Sequence, residues 1–261
     1  MASRGQFVCT VHIGPDPFWA KIQSAAIRRH LTGAIVVAAQ DEDIGGSMYF
    51  DRVESMEGIL RDKLDVLAGL VCQEMSGSDD DILIFLDGDA FPVSDLAAFA
   101  EAALAEAPLA AICRREAGED FPHPSFCVTT VGCWREIEGT WALAAGVSEE
   151  SPINDDGAML RDILRRRHVN WTPILRSNAW DLHPVFYGIY GGAIYHHGAG
   201  FRMPVSAADR NLWRHAAPEG TWTSRDKYEF FFEVVARQNS VLDQFLRRLI
   251  VRVPTFYELF Q

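Results

Sequence analysis

Two rhythms of apolar positions alternate along the first 115 residues. Mainly apolar runs (Phe7 to Ile13, Ala34 to Ala39, Ile82 to Leu86) are bounded by Gly, Pro and acidic residues. Runs of that length with turn residues at both ends mark strands buried on both faces of a sheet. Between them lie stretches of helical period: Phe18 to Leu31, Ser55 to Glu74 and Asp95 to Ala107, the last with Ser94 as its expected cap and Pro108 as its stop. In the middle one, Ile59, Leu60, Lys63, Leu64, Leu67, Leu70 and Val71 fall on a single stripe. Strand and helix in alternation predict a mostly parallel central sheet covered by helices on both faces.

The pattern changes after Leu109. Leu109 to Cys113 reads as a short strand, and His123 to Thr130 is β-rich and bracketed by prolines. Asn154-Asp155-Asp156 opens a predicted helix with Met159, Leu160, Ile163 and Leu164 on one face. Its last turn, Arg165-Arg166-Arg167-His168, complements the helix dipole. Gly188 to Tyr195 is rich in glycine and aromatics and runs into His196-His197-Gly198. The segment from Thr223 carries Val241, Phe245, Leu249 and Ile250 among Arg247, Arg248 and Arg252, an amphipathic pattern expected to form a helical appendage over 223–261.

Composition narrows the classes. A chain of 261 residues, 48% hydrophobic, buries a large core. A net charge of −12 disfavours nucleic acid as a partner. No apolar run approaches the roughly 18 residues of a membrane span. Met1 to Gly5 leads into a strand pattern and not into a signal-peptide core. Cys9, Cys72, Cys113, Cys127 and Cys133 are odd in number and form no CxxC, so reduced thiols in a cytoplasmic protein are expected.

The candidate chemistry concentrates in Ile82-Leu83-Ile84-Phe85-Leu86-Asp87-Gly88-Asp89-Ala90-Phe91-Pro92. An apolar strand drives into two carboxylates, and ligands of open α/β sheets bind at the carboxyl ends of strands. Residues i and i+2 of a straight strand lie roughly 6.5 Å apart, too far to share one small cation easily. Gly88 lets the backbone turn there. Two acids so placed suit Mg²⁺ or Mn²⁺ carrying a phosphate ligand. The plain reading of the same residues is a surface turn.

This layout resembles a glycosyltransferase of the GT-A type, family 2-like, over about residues 5 to 200. The resemblance implies a Rossmann-like GT-A fold. Its domain would span 1–222, with a nucleotide-binding half at about 5–115 and an acceptor half at about 116–222. It implies that Asp87 and Asp89 hold Mn²⁺ or Mg²⁺ on the diphosphate of a nucleotide sugar, a UDP-sugar being favoured. Asp156 would be the general base of an inverting transfer and Asp155 its neighbour, although the family more often shows Glu-Asp there. A carboxylate at a helix N-terminus is kept ionised and able to take a hydroxyl proton; Asp is equally an ordinary N-cap. His196 or His197 would add a metal ligand, and Arg202 would neutralise the leaving diphosphate. Asp41 and Asp43 would meet the base or ribose, and Lys63 a phosphate. Thr10 and His12 would border the nucleotide cleft by topology. His123 and Trp134 would line the acceptor side.

The expected reaction is hexosyl transfer to the hydroxyl of a glycan, lipid-linked or small-molecule acceptor. Two other readings share the Asp-Gly-Asp strand. One is a haloacid-dehalogenase-like phosphatase, whose motif usually continues with Thr or Val and lies near the N-terminus. The other is a non-catalytic nucleotide-sugar-binding protein. The terminal segment is compatible with core packing, a homodimer contact or peripheral contact with a membrane surface.

Overall fold

The computed structural model describes residues 4–15, 17–116, 119–142, 156–175, 177 and 188–196. The chain runs through β1 (Gln6–His12), α1 (Phe18–His30), β2 (Ile35–Gln40), β3 (Arg52–Ser55), α2 (Leu60–Leu70), β4 (Ile82–Asp87), β5 (Ala90–Pro92) and α3 (Leu96–Glu106). It continues with β6 (Leu109–Glu116), β7 (Glu119–Thr130), α4 (Val131–Ile137), α5 (Ala158–Arg167), β8 (Thr172–Ile174), β9 (Gly188–Tyr190) and β10 (Ile194–His196).

Seven strands form one sheet in the order β3-β2-β1-β4-β7-β6-β8. β1 to β4 are mutually parallel, β7 runs antiparallel between β4 and β6, and β8 is parallel to β6. This is the mostly parallel, helix-covered sheet that the alternation predicts. β5, β10 and β9 make a second, small antiparallel sheet.

The period of two sends alternate residues to opposite faces. Cys9, Val37, Leu83 and Phe85 pack with Leu64 and Leu67 of α2, Trp134 of α4 and Leu160 of α5. Val8, Val36, Ile84 and Leu86 pack on the other face with Ala20 and Ile27 of α1 and Leu96 and Ala100 of α3. Each buried valine, leucine or isoleucine among them stabilises the fold by about 1.5–3 kcal/mol.

Three expectations are corrected. The helix expected from Ser55 to Glu74 is shorter. Arg52–Ser55 is a strand paired with Val37–Gln40, and Gly58 sits at φ +110, which no helix tolerates. α2 therefore begins at Leu60, and it ends in a wide turn, Val71–Met75, closed by Ser76 N donating to Val71 O at 2.9 Å. α3 is capped by Asp95, whose Oδ1 accepts from Ala98 N at 3.0 Å; the hydroxyl of Ser94 instead donates to Gly192 O. α5 starts at Ala158 and not at Asn154 to Asp156. Gly157 precedes it at φ +109, pressed so closely on Pro122 O that no Cβ fits. The domain boundary at 222 and the appendage at 223–261 lie outside the described residues.

Candidate metal centre and nucleotide edge

β1, β2 and β4 are parallel, so their carboxyl ends, His12, Gln40 and Asp87, share one edge of the sheet. The chain leaves β4 through Gly88 and Asp89 into β5. The pairing of β10 with β5 sets His196 opposite Ala90, next to the acid pair. His196 Nε2 stands 3.3 Å from Asp89 Oδ1 and 3.6 Å from Asp87 Oδ2. One ligand atom from each of the three residues lies within 4.8 Å of the others.

Nε2 of His196 is buried and makes no aligned hydrogen bond, although two carboxylates face it. Burial opposes charge on this ring, but the charge of Asp89 and the contacts with Asp87 outweigh it and push the pKa up to about 9. The cluster is thus built to hold positive charge. An O, O, N donor set with an unpaired ring nitrogen turned toward two acids fits a divalent cation, and the imidazole favours Mn²⁺ over Mg²⁺.

The turn is seated on β1. A Cβ at Gly88 would collide with Val11 O and come within 3.2 Å of His12 Nδ1. His12 is buried and stacks on Phe50 with ring centroids 5.1 Å apart. Burial lowers its pKa to about 4, against the opposing pull of Gln23, Asp87 and Asp89. Gln23 of α1 donates from Nε2 to Asp87 O and to Ala90 O, both at 2.7 Å, and its Oε1 meets His12 Nε2 at 3.1 Å. The sequence reading missed Gln23. Its one signal is a polar residue in register with the buried Trp19, Ala26 and Ile27 of α1.

At the β2 end, Asp41 Oδ1 accepts from Gly14 N at 2.8 Å, and Oδ2 lies 3.9 Å from Lys63 Nζ. Lys63 is buried and its Nζ has no hydrogen-bond partner among the described residues. Asp43 closes a local turn by accepting from Gly45 N and is exposed. Thr10 is buried within β1 between Ala38 and Leu86, two residues short of the edge.

On the other side of the acid pair, His123 of β7 is buried, with Nδ1 2.8 Å from Ser125 Oγ and Nε2 3.1 Å from an Arg114 nitrogen. Its ring centroid lies 6.4 Å from that of His196. Asp156, next to the Gly157 that packs on Pro122, accepts from Arg61 of α2 at 3.2 Å. Trp134 does not line this edge. It is buried in the core on the α2 side, its ring centroid 4.7 Å from Phe85 and 5.8 Å from Trp141. Asp155, His197 and Arg202 lie outside the described residues.

No family model matches the sequence, and no curated protein matches it. Solved structures similar to this chain include a 4-diphosphocytidyl-2C-methyl-D-erythritol synthase, at TM-score 0.43 and 13% identity over 70% of this chain and 92% of that one. TarS of S. aureus is similar at TM-score 0.45 and 12% identity over 91% of this chain and 44% of that one. The glycosyltransferase GlyE of Streptococcus pneumoniae TIGR4 is similar at TM-score 0.40 and 14% identity, over 66% and 45%. The chain spans less than half the length of the TarS and GlyE chains. Among the described residues no helix is long and apolar enough to cross a membrane.

Proposed function

We propose that this protein is a nucleotide-sugar-dependent glycosyltransferase that moves a hexosyl group from a UDP-sugar to an acceptor hydroxyl with inversion. The observation that carries the reading is the convergence of Asp87, Asp89 and His196 at the carboxyl edge of the sheet. A divalent cation held by those three residues would supply Lewis-acid stabilisation of the departing diphosphate.

The chain's own residues supply the rest. Asp41 and Lys63, beside the ends of β1 and β2, bind the nucleotide, with the lysine amine meeting an anionic or carbonyl oxygen. Asp156 takes the proton from the acceptor hydroxyl, held in place by Arg61. His123 and Arg114 border the acceptor side of the metal centre.

A thermal-shift panel of UDP, GDP, CMP and dTDP, each with and without Mn²⁺, tests the donor half. Stabilisation by UDP that needs Mn²⁺ and vanishes in Asp87→Ala supports the reading; no shift with any nucleotide overturns it. Mn²⁺-dependent binding of UDP without transfer or donor hydrolysis would instead make the protein a binding module. Turnover of a generic phosphoester would make it a phosphatase.

A further inference from the structure

Gln23 is completely buried, and its side chain makes two hydrogen bonds to the acid turn and one to His12 of β1. Its two amide protons go to Asp87 O and Ala90 O. Carbonyl oxygens only accept, so the nitrogen end of the amide must face the turn. The oxygen end therefore faces His12. An amide oxygen also only accepts, so the proton of that 3.1 Å bond sits on His12 Nε2. In a neutral ring Nδ1 is then bare, on the side where Gly88 approaches.

The two carbonyls flank Gly88 and Asp89, the residues that reverse the chain between β4 and β5. Ala90 is also the register partner of His196. One amide thus braces the frame of all three candidate ligands: Asp87 through its own carbonyl, Asp89 through Ala90 and, across Gly88, Asp87, and His196 through Ala90. Without it, the Asp87 and Ala90 carbonyls lose this side-chain donor and the brace between them.

We propose that Gln23 is a positioning residue for the metal centre, bracing the Asp87–Ala90 turn and fixing His12 beneath it as the Nε2–H tautomer. The first half rests on the reading that Asp87, Asp89 and His196 hold a divalent cation; the second does not.

The test is Mn²⁺ binding, followed by electron paramagnetic resonance, in the full chain and in Gln23→Met, Gln23→Glu and Ile27→Val. Methionine keeps the volume and removes the amide. Glutamate keeps an acceptor for His12 but cannot donate to either carbonyl. Ile27→Val trims the same helix one turn away. The expected result is at least tenfold weaker Mn²⁺ binding in both Gln23 variants and unchanged binding in Ile27→Val. Unchanged Mn²⁺ affinity in a folded Gln23→Met protein overturns the proposal. Should the Gln23 variants not fold, long-range ¹H–¹⁵N spectra of the metal-free wild-type histidine rings decide. The Nε2–H pattern is expected for His12, and the Nδ1–H pattern overturns it. A wild-type protein that binds no Mn²⁺ sinks the glycosyltransferase reading and the bracing role with it, while the tautomer still reports separately on the Gln23–His12 contact.

Discussion

Lys63 Nζ stands 3.9 Å from Asp41 Oδ2, while the lysine itself is only 1% exposed and its amine has no hydrogen bond among the described residues. Burying a cationic group without an aligned partner costs stability, and such a group is tolerated where a ligand completes its contacts. Lys63→Met should leave the unfolding free energy unchanged or raise it. UDP affinity in the presence of Mn²⁺ should fall at least tenfold, as expected from losing one charge-assisted bond of about 1.5–3 kcal/mol. Denaturant titration and calorimetry on the same variant separate the two; equal UDP affinity would remove Lys63 from the nucleotide site.

Gly88→Ala should damage both fold and site. The added methyl would run into the Val11 carbonyl, which is sheet backbone and cannot move aside. Overpacking of this kind costs about 1–3 kcal/mol, and relief by lifting the turn would separate the carboxylates. Chemical denaturation and Mn²⁺ titration should therefore worsen together. A variant with wild-type Mn²⁺ affinity would show that the turn's seat on β1 does not set the ligand spacing.

Much of this was legible in the sequence, for identifiable reasons. β1, β2 and β4 are apolar on both faces and bounded by turn residues, so periodicity alone marks them. Asp87 and Asp89 stand out because acids directly follow such a strand. Lys63 was visible in the apolar stripe of α2. What stayed hidden depends on tertiary pairing. Arg52–Ser55 has no apolar run and becomes a strand through its parallel partner β2. Trp134 looks the same to a sequence reader whether it stacks on a sugar or, as here, on Phe85. Gln23 bonds to residues more than 60 positions away, and no spacing rule reaches that far.

Asp87→Asn and Asp89→Asn should separate binding from folding. Without cation each carboxylate repels the other but also supports the charge of His196, so neutralising one sets relief of repulsion against a lost ring contact and should move the melting temperature little. In wild type, Mn²⁺ at a hundredfold excess over Kd should stabilise the fold by about 2.7 kcal/mol. Either variant should lose most of that increment and at least a hundredfold in transfer rate. Full activity in both would dismiss the metal centre.

Asp65 gives a pH dependence away from the site. It accepts from Trp141 N at 2.8 Å, from Ala142 N at 3.1 Å and from the Thr140 hydroxyl. Burial nevertheless holds its pKa above the ordinary carboxylate value, with those hydrogen bonds opposing. The folded chain thus keeps this proton to higher pH than the unfolded chain does. The stability it contributes is complete below about pH 4, the unfolded value, and is lost as pH rises through the folded one. Asp65→Asn should be less stable overall by about 1–3 kcal/mol, since its amide cannot satisfy three donors. Its stability should also decline less steeply above pH 4, as urea unfolding across a pH series will read; a slope equal to wild type would place the proton elsewhere.

Arg61 and Asp156 make the sharpest test of the chemistry. They join the first turn of α2 to the residue before Gly157, at 3.2 Å and with both side chains largely shielded from water. The guanidinium holds the carboxylate in one place, as the proposed general base requires. Asp156→Asn should lower kcat by about 100-fold or more, the range expected for a lost general base, and leave Mn²⁺-dependent UDP affinity intact. Arg61→Gln should lower kcat severalfold by freeing the carboxylate from its place, and Arg61→Lys should restore part of the loss. A structural ion pair would instead lower stability in both variants and leave kcat where it stands. If Asp156→Asn turns over normally, the proton goes to another group, and the inverting course proposed for this protein loses its base.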